Sequence, residues 1–237
     1  MPPLSQTRAY LKLLVCVALW ASYPATAKLA LTHFPPFILG TVRCFLGLLL
    51  LVIFLRRQVG EAARALTWRD LPGLTLLTLT GVFLSNSLVY LAIYLTTASN
   101  TILLQTAMPV MVALAARLFL GERLSTRQWT GVVCSAAGVL LVVSKGEWGA
   151  LRPATLQTGD LLVLSAMCLW TANTIYGKRL LAVYSPAVVT VVAYALSAIM
   201  LPPLTLATVP LFPAPRFLSP VAWGVVFYHA LTGAFAH

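Results

Sequence analysis

The stretch LWASYPATAK at Leu19–Lys28 returns 150 positions later as LWTANTIYGK at Leu169–Lys178. A second pair follows at nearly the same spacing, because LTGVF at Leu79–Phe83 is echoed by LTGAF at Leu231–Phe235. Two sequence matches separated by nearly the same number of residues indicate that a segment of the chain has been duplicated. The two pairs therefore predict one helical unit followed by part of a second copy of that unit.

The composition is that of a membrane protein. Of the 237 residues, 60% are hydrophobic and 9% are charged, whereas charged residues approach a quarter in soluble domains. Apolar runs of about 18 residues or more indicate membrane-spanning helices. The net charge of +11 is interpreted as charge that flanks these helices, and no nucleic-acid partner is expected. We therefore predict an all-α, polytopic transmembrane helical protein in a lipid bilayer.

The apolar runs predict eight spans. Their bounds are Leu11–Leu31, Phe37–Leu55, Leu71–Tyr94, Asn100–Leu120, Trp129–Val143, Asp160–Leu180, Pro186–Thr208 and Val221–Phe235. On the fifth span, Gly131 and Gly138 are predicted to allow close helix packing.

Lysine and arginine residues set the predicted orientation. With the N-terminus in the cytoplasm, eleven of them flank the spans on the cytoplasmic side and four on the outer side, with Arg43 inside the second span left out. Positive flanks are retained in the cytoplasm, so a cytoplasmic N-terminus is predicted, in a bacterial-type plasma membrane. The first span then starts inside and the sixth, which opens the copy, starts outside. The units are predicted to be inverted five-helix repeats, an arrangement that supports alternating access in transporters.

Five short motifs carry a resemblance to a known family. They are Ala98–Leu103, Met108–Val110, Leu120–Leu124, Gln128–Gly131 and Gly138–Leu141. In this order of small-residue turn, mid-helix proline, Glu-x-Leu loop and Gly-spaced helix, the chain resembles the EamA-type transporters of the drug/metabolite transporter superfamily. The resemblance implies ten helices in two repeats and secondary transport. With the inverted repeat and the polar and aromatic helix faces, it leads to the hypothesis of an exporter of small metabolites or amino-acid-like solutes.

The repeat offset also predicts unit boundaries. Residues 1–145 would form the first five-helix repeat, 146–158 an external linker and 159–237 a partial second repeat of about three helices. Because the copy ends within its third helix, we expect the second repeat to be incomplete. The alternative to a working carrier is a truncated, transport-inactive fragment of one.

Polar side chains inside the spans are the candidate substrate-binding residues, because they are costly in a bilayer unless they face protein or a water-filled cavity. Arg43 lies about two turns inside the second span. It either attracts a carboxylate or phosphate within a cavity or snorkels to the outer interface along its aliphatic stem. The other candidates are Trp20, Tyr23, Asn86, Tyr90, Tyr94, Gln105, Trp170 and Asn173.

Helical spacing groups the candidates on the third and fourth spans. Asn86, Tyr90 and Tyr94 stand at i, i+4 and i+8 and share one helix face. That face either lines a substrate path or makes hydrogen bonds between helices. Gln105 shares a similar face with Pro109, which either frees a backbone carbonyl or fixes a structural bend.

Matching aromatic positions occur on the first helix of each repeat. Trp20 precedes Tyr23 by three residues, as Trp170 precedes Asn173, so each pair shares a helix face. The two faces either bracket a substrate from opposite sides or belong to an interfacial aromatic belt.

Three charged residues near span ends have two interpretations each. Lys28 and Lys178 either anchor their spans by snorkelling or take part in binding or gating. Glu122 is either a solvated loop carboxylate or the partner of a neighbouring arginine. The neighbouring arginines are Arg117, Arg123 and Arg127.

The sequence shows no pattern typical of catalysis. We recognise no catalytic constellation, phosphate-binding loop or metal-ligand spacing, and so predict no enzymatic activity, no cofactor and no metal. The four cysteines lie in apolar runs and are interpreted as small packing residues. A small-molecule substrate and the lipid bilayer are the expected partners, and the sequence does not indicate an oligomeric state.

Overall fold

The computed structural model describes residues 3–143 and 157–235, and the regular elements of these residues are helices. The α-helices are α1 (Pro3–Leu31), α2 (Pro36–Phe54), α3 (Arg56–Ala65), α4 (Leu71–Thr78), α5 (Leu84–Leu95), α6 (Ala98–Gln105), α7 (Met108–Leu120), α8 (Thr126–Val143), α9 (Thr158–Leu181), α10 (Pro186–Thr208) and α11 (Pro220–Phe235). A π-helical turn, Leu79–Phe83, joins α4 to α5, and a 3₁₀ turn follows α10. The prediction of an all-α fold is confirmed.

Several helices are long and apolar enough to cross a membrane, which confirms the polytopic prediction. Within the described residues they are Leu14–Leu31, Pro36–Phe54, Leu71–Leu95, Ala98–Leu120 and Pro186–Leu211. The remaining predicted spans form the helices α8, α9 and α11. That these three also cross the membrane stays a prediction, as does the inverted relation of the repeats. The predicted linker, 146–158, lies outside the described residues up to position 156.

Local sequence signals explain where the helices begin and end. Pro36 opens α2 and Pro186 opens α10, because the first turn of a helix has no use for the N–H that proline lacks. The Ser185 hydroxyl accepts a hydrogen bond from the backbone N–H of Val188 and caps α10. At its far end, α7 stops at Gly121, whose φ of 68° lies in the left-handed region that glycine adopts without strain.

The third and fourth predicted spans are both interrupted. The π-helical turn interrupts the third, and just before it Asn173 of α9 donates a 2.6 Å hydrogen bond from Nδ2 to the Leu77 carbonyl. In the fourth, α6 ends at Gln105 and α7 begins at Met108. Pro109 has no N–H to offer the Gln105 carbonyl, so the helix cannot continue regularly through this point. The structure therefore interrupts the helix at the proline, as both interpretations of Pro109 expected, and Gln105 and Pro109 lie on separate helices.

Small buried residues bring the helices together. Helix α5 packs against α9, α2 against α10, and α11 against both α1 and α2. Fully buried alanines at these contacts allow close approach of the backbones; they are Ala27, Ala30, Ala92, Ala166 and Ala222. The packing role predicted for Gly131 and Gly138 is wrong for the described residues, because both are exposed and a Cβ at either position would meet nothing within 4 Å.

Lys28 takes a role that the sequence interpretation did not include. Its Nζ donates hydrogen bonds to the carbonyls of Ile93, Tyr94 and Thr96, at 2.6, 3.3 and 2.7 Å. These carbonyls end α5, where the helix has no donors of its own left to satisfy them. A cation at a helix C-terminus also interacts favourably with the helix dipole. Lys28 therefore ties α1 to the end of α5.

Replacing Lys28 by methionine should lower the thermal unfolding temperature of the purified protein in detergent. Hydrogen bonds to a charged group contribute about 1.5–3 kcal/mol, and the partial exposure of Lys28 favours the lower end of that range. Its repeat counterpart is the matched control: Lys178 makes a half-exposed ion pair with Glu122, which is worth about 0–1 kcal/mol. Equal losses for Lys28→Met and Lys178→Met would contradict the capping role.

A polar turn outside the membrane joins α3 to α4. The Asp70 carboxylate accepts hydrogen bonds from the hydroxyl and the backbone N–H of Thr67. The hydroxyl of Thr67, followed by that of Tyr184, holds the pKa of Asp70 below its usual value of 3.8, and the neighbouring carboxylate raises the pKa of Tyr184. Tyr184 lies between α9 and α10. The turn therefore connects the two predicted repeats.

Because folding lowers the pKa of Asp70, its ionised form adds stability above the unfolded pKa, and this is lost as the pH falls through the folded value. We expect Asp70→Asn to unfold at a slightly lower temperature than the unmodified protein at neutral pH and at the same temperature in acid. Thermal scans across this range test it, with Glu61→Gln in the exposed Arg57–Glu61 pair as control. A difference that persists unchanged into acid would count against this account.

Candidate functional site

A cavity of about 230 Å³ lies among helices of both predicted repeats. This is well above the roughly 10–15 Å³ that a single water molecule needs, so the cavity has room for a small solute. The lining residues come from α1, α2, α5, the break between α6 and α7, α9 and α11. They are Trp20, Tyr23, Arg43, Ser85, Asn86, Val89, Gln105, Met108, Met167, Trp170, Thr232 and Gly233.

Arg43 brings a permanent charge to this cavity. Its side chain is only 4% exposed, so it does not snorkel to the interface. Nε donates to the His229 carbonyl at 3.2 Å, and Nη2 donates to the Tyr194 hydroxyl at 3.3 Å. The guanidinium carbon lies 5.7 Å from the centre of the Tyr23 ring, a cation–π contact. Neutral groups of three helices thus hold the guanidinium in place.

Gly233 leaves room for this arrangement. A Cβ at Gly233 would overlap the guanidinium of Arg43 and the hydroxyl of Tyr194. Gly233 occupies the same place in LTGAF that Gly81 occupies in LTGVF, and a Cβ at Gly81 would overlap the Asn173 amide. In both copies the glycine therefore admits a polar side chain from a neighbouring helix.

His229 organises the aromatic residues beside Arg43. Its ring is fully buried and stacks on Tyr23 with centroids 4.2 Å apart. Nε2 lies 2.8 Å from the Thr26 hydroxyl, and Nδ1 lies 3.2 Å from the Tyr90 hydroxyl. With both ring nitrogens hydrogen-bonded, His229 fixes the positions of α1 and α5 relative to α11.

The structure brings six of the nine predicted site residues together at the cavity. They are Trp20, Tyr23, Arg43, Asn86, Gln105 and Trp170. Trp20 and Trp170, which occupy matching positions of the two predicted repeats, both line this cavity. Their part in binding a solute stays a prediction.

The other three predicted site residues lie outside the cavity lining. Tyr90 is fully buried and meets His229, while Tyr94 packs edge-on against Phe212 with ring centroids 5.5 Å apart. The side-chain amide of Asn173 donates a hydrogen bond to the Leu77 carbonyl. These three residues support the packing around the cavity.

Three residues of this region were missed by the sequence analysis: His229, Tyr194 and Gly233. The echo of LTGVF in LTGAF was the available signal for Gly233. No comparable pattern marks His229 or Tyr194, because their contacts join helices that are far apart in the sequence.

Glu122 has a different partner from the arginines considered above. Its carboxylate accepts a 2.9 Å hydrogen bond from Lys178 of α9, and both side chains are about half exposed. The pair links the loop after α7 to the end of α9. The predicted alternatives for Glu122 are therefore corrected to an ion pair between the two repeats.

The helices α1–α8 carry a family signature. Residues 7–144, more than half of the chain, match the EamA-like transporter family. The chain belongs to this family. Membership of this family makes the protein a transporter that passes through the membrane several times. It also implies a small-molecule substrate.

Relatives of this EamA-like chain agree in class. It is 32% identical over 249 residues to an uncharacterized transporter of Archaeoglobus fulgidus, covering 96% of this chain and 81% of that protein. It is 25% identical over 154 residues to the uncharacterized transporter YyaM of Bacillus subtilis, covering 63% of this chain and 49% of that one.

A solved structure shares the fold. A protein whose crystal structure is known matches with a TM-score of 0.69 at 19% identity, covering 97% of this chain and 76% of the other. At that identity the likeness concerns the arrangement of the helices alone.

Proposed function

We propose that this EamA-like protein is a secondary-type transporter that exports small metabolites or amino-acid-like solutes by alternating access. The observation that carries the proposal is the cavity, whose walls combine α1, α2 and α5 of the first predicted repeat with α9 and α11 of the second. A site between two repeats is the place where rocking of one against the other changes access.

The composition of the cavity lining suits a binding site for a small molecule. Polar groups at Ser85, Asn86 and Gln105 share the lining with apolar Val89 and Met167. Small-molecule sites typically combine apolar walls with a few placed polar groups. The orientation with a cytoplasmic N-terminus in a bacterial-type plasma membrane belongs to this proposal and rests on the distribution of lysine and arginine.

Flux measurements on the purified chain in lipid vesicles test the proposal. We would load vesicles with a mixture of metabolites and follow exchange by mass spectrometry. Gln105→Trp places a large ring in the cavity lining, whereas Ile199→Trp, on a residue that is 71% exposed on α10, leaves the cavity untouched.

The proposal predicts flux of at least one solute that Gln105→Trp removes and Ile199→Trp preserves, with both variants folded. Equal flux in the two variants would show that solute does not pass through this cavity. Absence of flux for the whole mixture in the unmodified chain would contradict the transport function itself.

A further inference from the structure

We propose that the cavity selects monocarboxylates with an apolar or aromatic body over zwitterions, cations and phosphate esters. This inference rests on the proposed transport function, because it names the class of solute that the same cavity accepts. Of the solutes proposed there, it favours small acidic metabolites and disfavours zwitterionic amino acids.

The charge of Arg43 is not balanced by a carboxylate of the described chain. The described chain has four carboxylates, and each is engaged away from the cavity: Glu61 with Arg57, Asp70 with Thr67, Glu122 with Lys178 and Asp160 with Thr96. The remaining acidic residue, Glu147, lies outside the described residues. Within the described part of the chain, the buried guanidinium therefore has no anionic partner.

Arg43 also keeps hydrogen-bond donors that the described residues do not use. The protein uses Nε and one hydrogen of Nη2, for the His229 carbonyl and the Tyr194 hydroxyl. No described residue accepts a hydrogen bond from Nη1. Both hydrogens of Nη1 and one of Nη2 therefore have no acceptor among the described residues, and guanidinium N–H donors match the oxygens of a carboxylate.

The walls of the cavity suit an apolar or aromatic solute body. Trp20, Trp170 and Met167 give the cavity large apolar surfaces, which suit a flat or aliphatic body. An ammonium group would meet no carboxylate in the described lining and would share a small, partly desolvated space with the charge of Arg43. A zwitterion or a cation is therefore disfavoured.

Carboxylates and phosphate monoesters differ in the size of their negative charge. A phosphate monoester carries a charge of about −1.5 to −2 at neutral pH, whereas a carboxylate carries one charge. Arg43 is the only cation among the described lining residues. The single positive charge of Arg43 neutralises one carboxylate. A phosphate monoester would keep part of its negative charge without a counter-charge in the described lining.

The test measures binding to the purified chain by calorimetry, for solutes that share one phenyl body. The probes are 3-phenylpropionate, phenylalanine, 2-phenylethylamine, phenyl phosphate and 3-phenylpropanol. We expect 3-phenylpropionate to bind about tenfold or more tightly than each of the others, a difference of about 1.4 kcal/mol. Arg43→Lys should keep the order with smaller differences, and Arg43→Gln should bind the acid and the alcohol equally. Arg57→Gln, which removes a surface charge, should bind as the unmodified chain does.

Each outcome decides the question. Phenylalanine, the amine or the phosphate binding as tightly as the carboxylate would overturn the inference, and so would absence of binding by every probe. The comparison in the unmodified chain is sufficient even if Arg43→Gln does not fold. Carboxylate binding without flux in vesicles would uphold the ligand class while contradicting the transport function, so the two claims fail separately.

Discussion

Replacing Arg43 by glutamine should lower solute flux in vesicles by about 30-fold or more while the unfolding temperature does not fall. Removing one partner of a buried charge interaction costs about 2 kcal/mol or more, and 1.4 kcal/mol is a factor of ten. The folded protein gains little net stability from this charge, because the desolvation cost of burying it offsets its hydrogen bonds to His229 and Tyr194. Flux assays and thermal scans on the same preparation measure both quantities.

A surface arginine supplies the control for this experiment. Arg57 lies on α3, and its side chain is 89% exposed, so Arg57→Gln should change neither flux nor unfolding temperature. If Arg43→Gln lost flux only in proportion to lost folded protein, Arg43 would be a structural residue. Unchanged flux in a folded Arg43→Gln variant would show that Arg43 does not take part in binding the solute.

Alanine at Gly47 should destabilise the protein by about 1–3 kcal/mol, the usual cost of overpacking a filled core. A Cβ at this position of α2 would overlap the Tyr194 ring of α10. Tyr194 is only 1% exposed, so its ring has no free space into which to move. Because Tyr194 also holds Nη2 of Arg43, flux should fall along with the unfolding temperature.

The matched control for Gly47→Ala is Gly224→Ala on α11, where a Cβ would meet nothing within 4 Å. Alanine favours a helix by up to about 1 kcal/mol over glycine, so this variant should be neutral or slightly more stable. Opposite signs for the two substitutions in thermal scans are the expected result. The same sign for both would show that α2 and α10 do not approach closely at Gly47.

The repeat correctly marked one pair of matching positions as cavity residues, although it failed for Asn173, which matches Tyr23 and lies outside the lining. Trp20 and Trp170 were selected because they occupy matching positions, and both line the cavity. Helical spacing alone was less informative. Asn86, Tyr90 and Tyr94 do stand on one face, but eight residues of helix extend about 12 Å. The cavity occupies one level along that length, so only Asn86 lines it.

Periodicity alone did not predict the two interruptions of regular helix, although Pro109 indicated the second. Just before the π-helical turn at Leu79–Phe83, the Leu77 carbonyl accepts a hydrogen bond from Asn173, which takes Asn173 out of the predicted site. The break before Met108 ends the face on which Gln105 was placed. His229 was missed because its importance comes from Tyr23 and Tyr90 on other helices, and such contacts leave no local pattern.

Access to the cavity from both sides of the membrane tests the central claim most directly. In a variant without the four native cysteines, Asn86→Cys would be exposed to a membrane-impermeant thiol reagent from the inside or the outside of vesicles. Ile199→Cys on the lipid-facing side of α10 would serve as control. The account predicts labelling of Asn86→Cys from either side, slowed by a transported solute, and no labelling of Ile199→Cys. Labelling of Asn86→Cys from one side alone would contradict alternating access through this cavity.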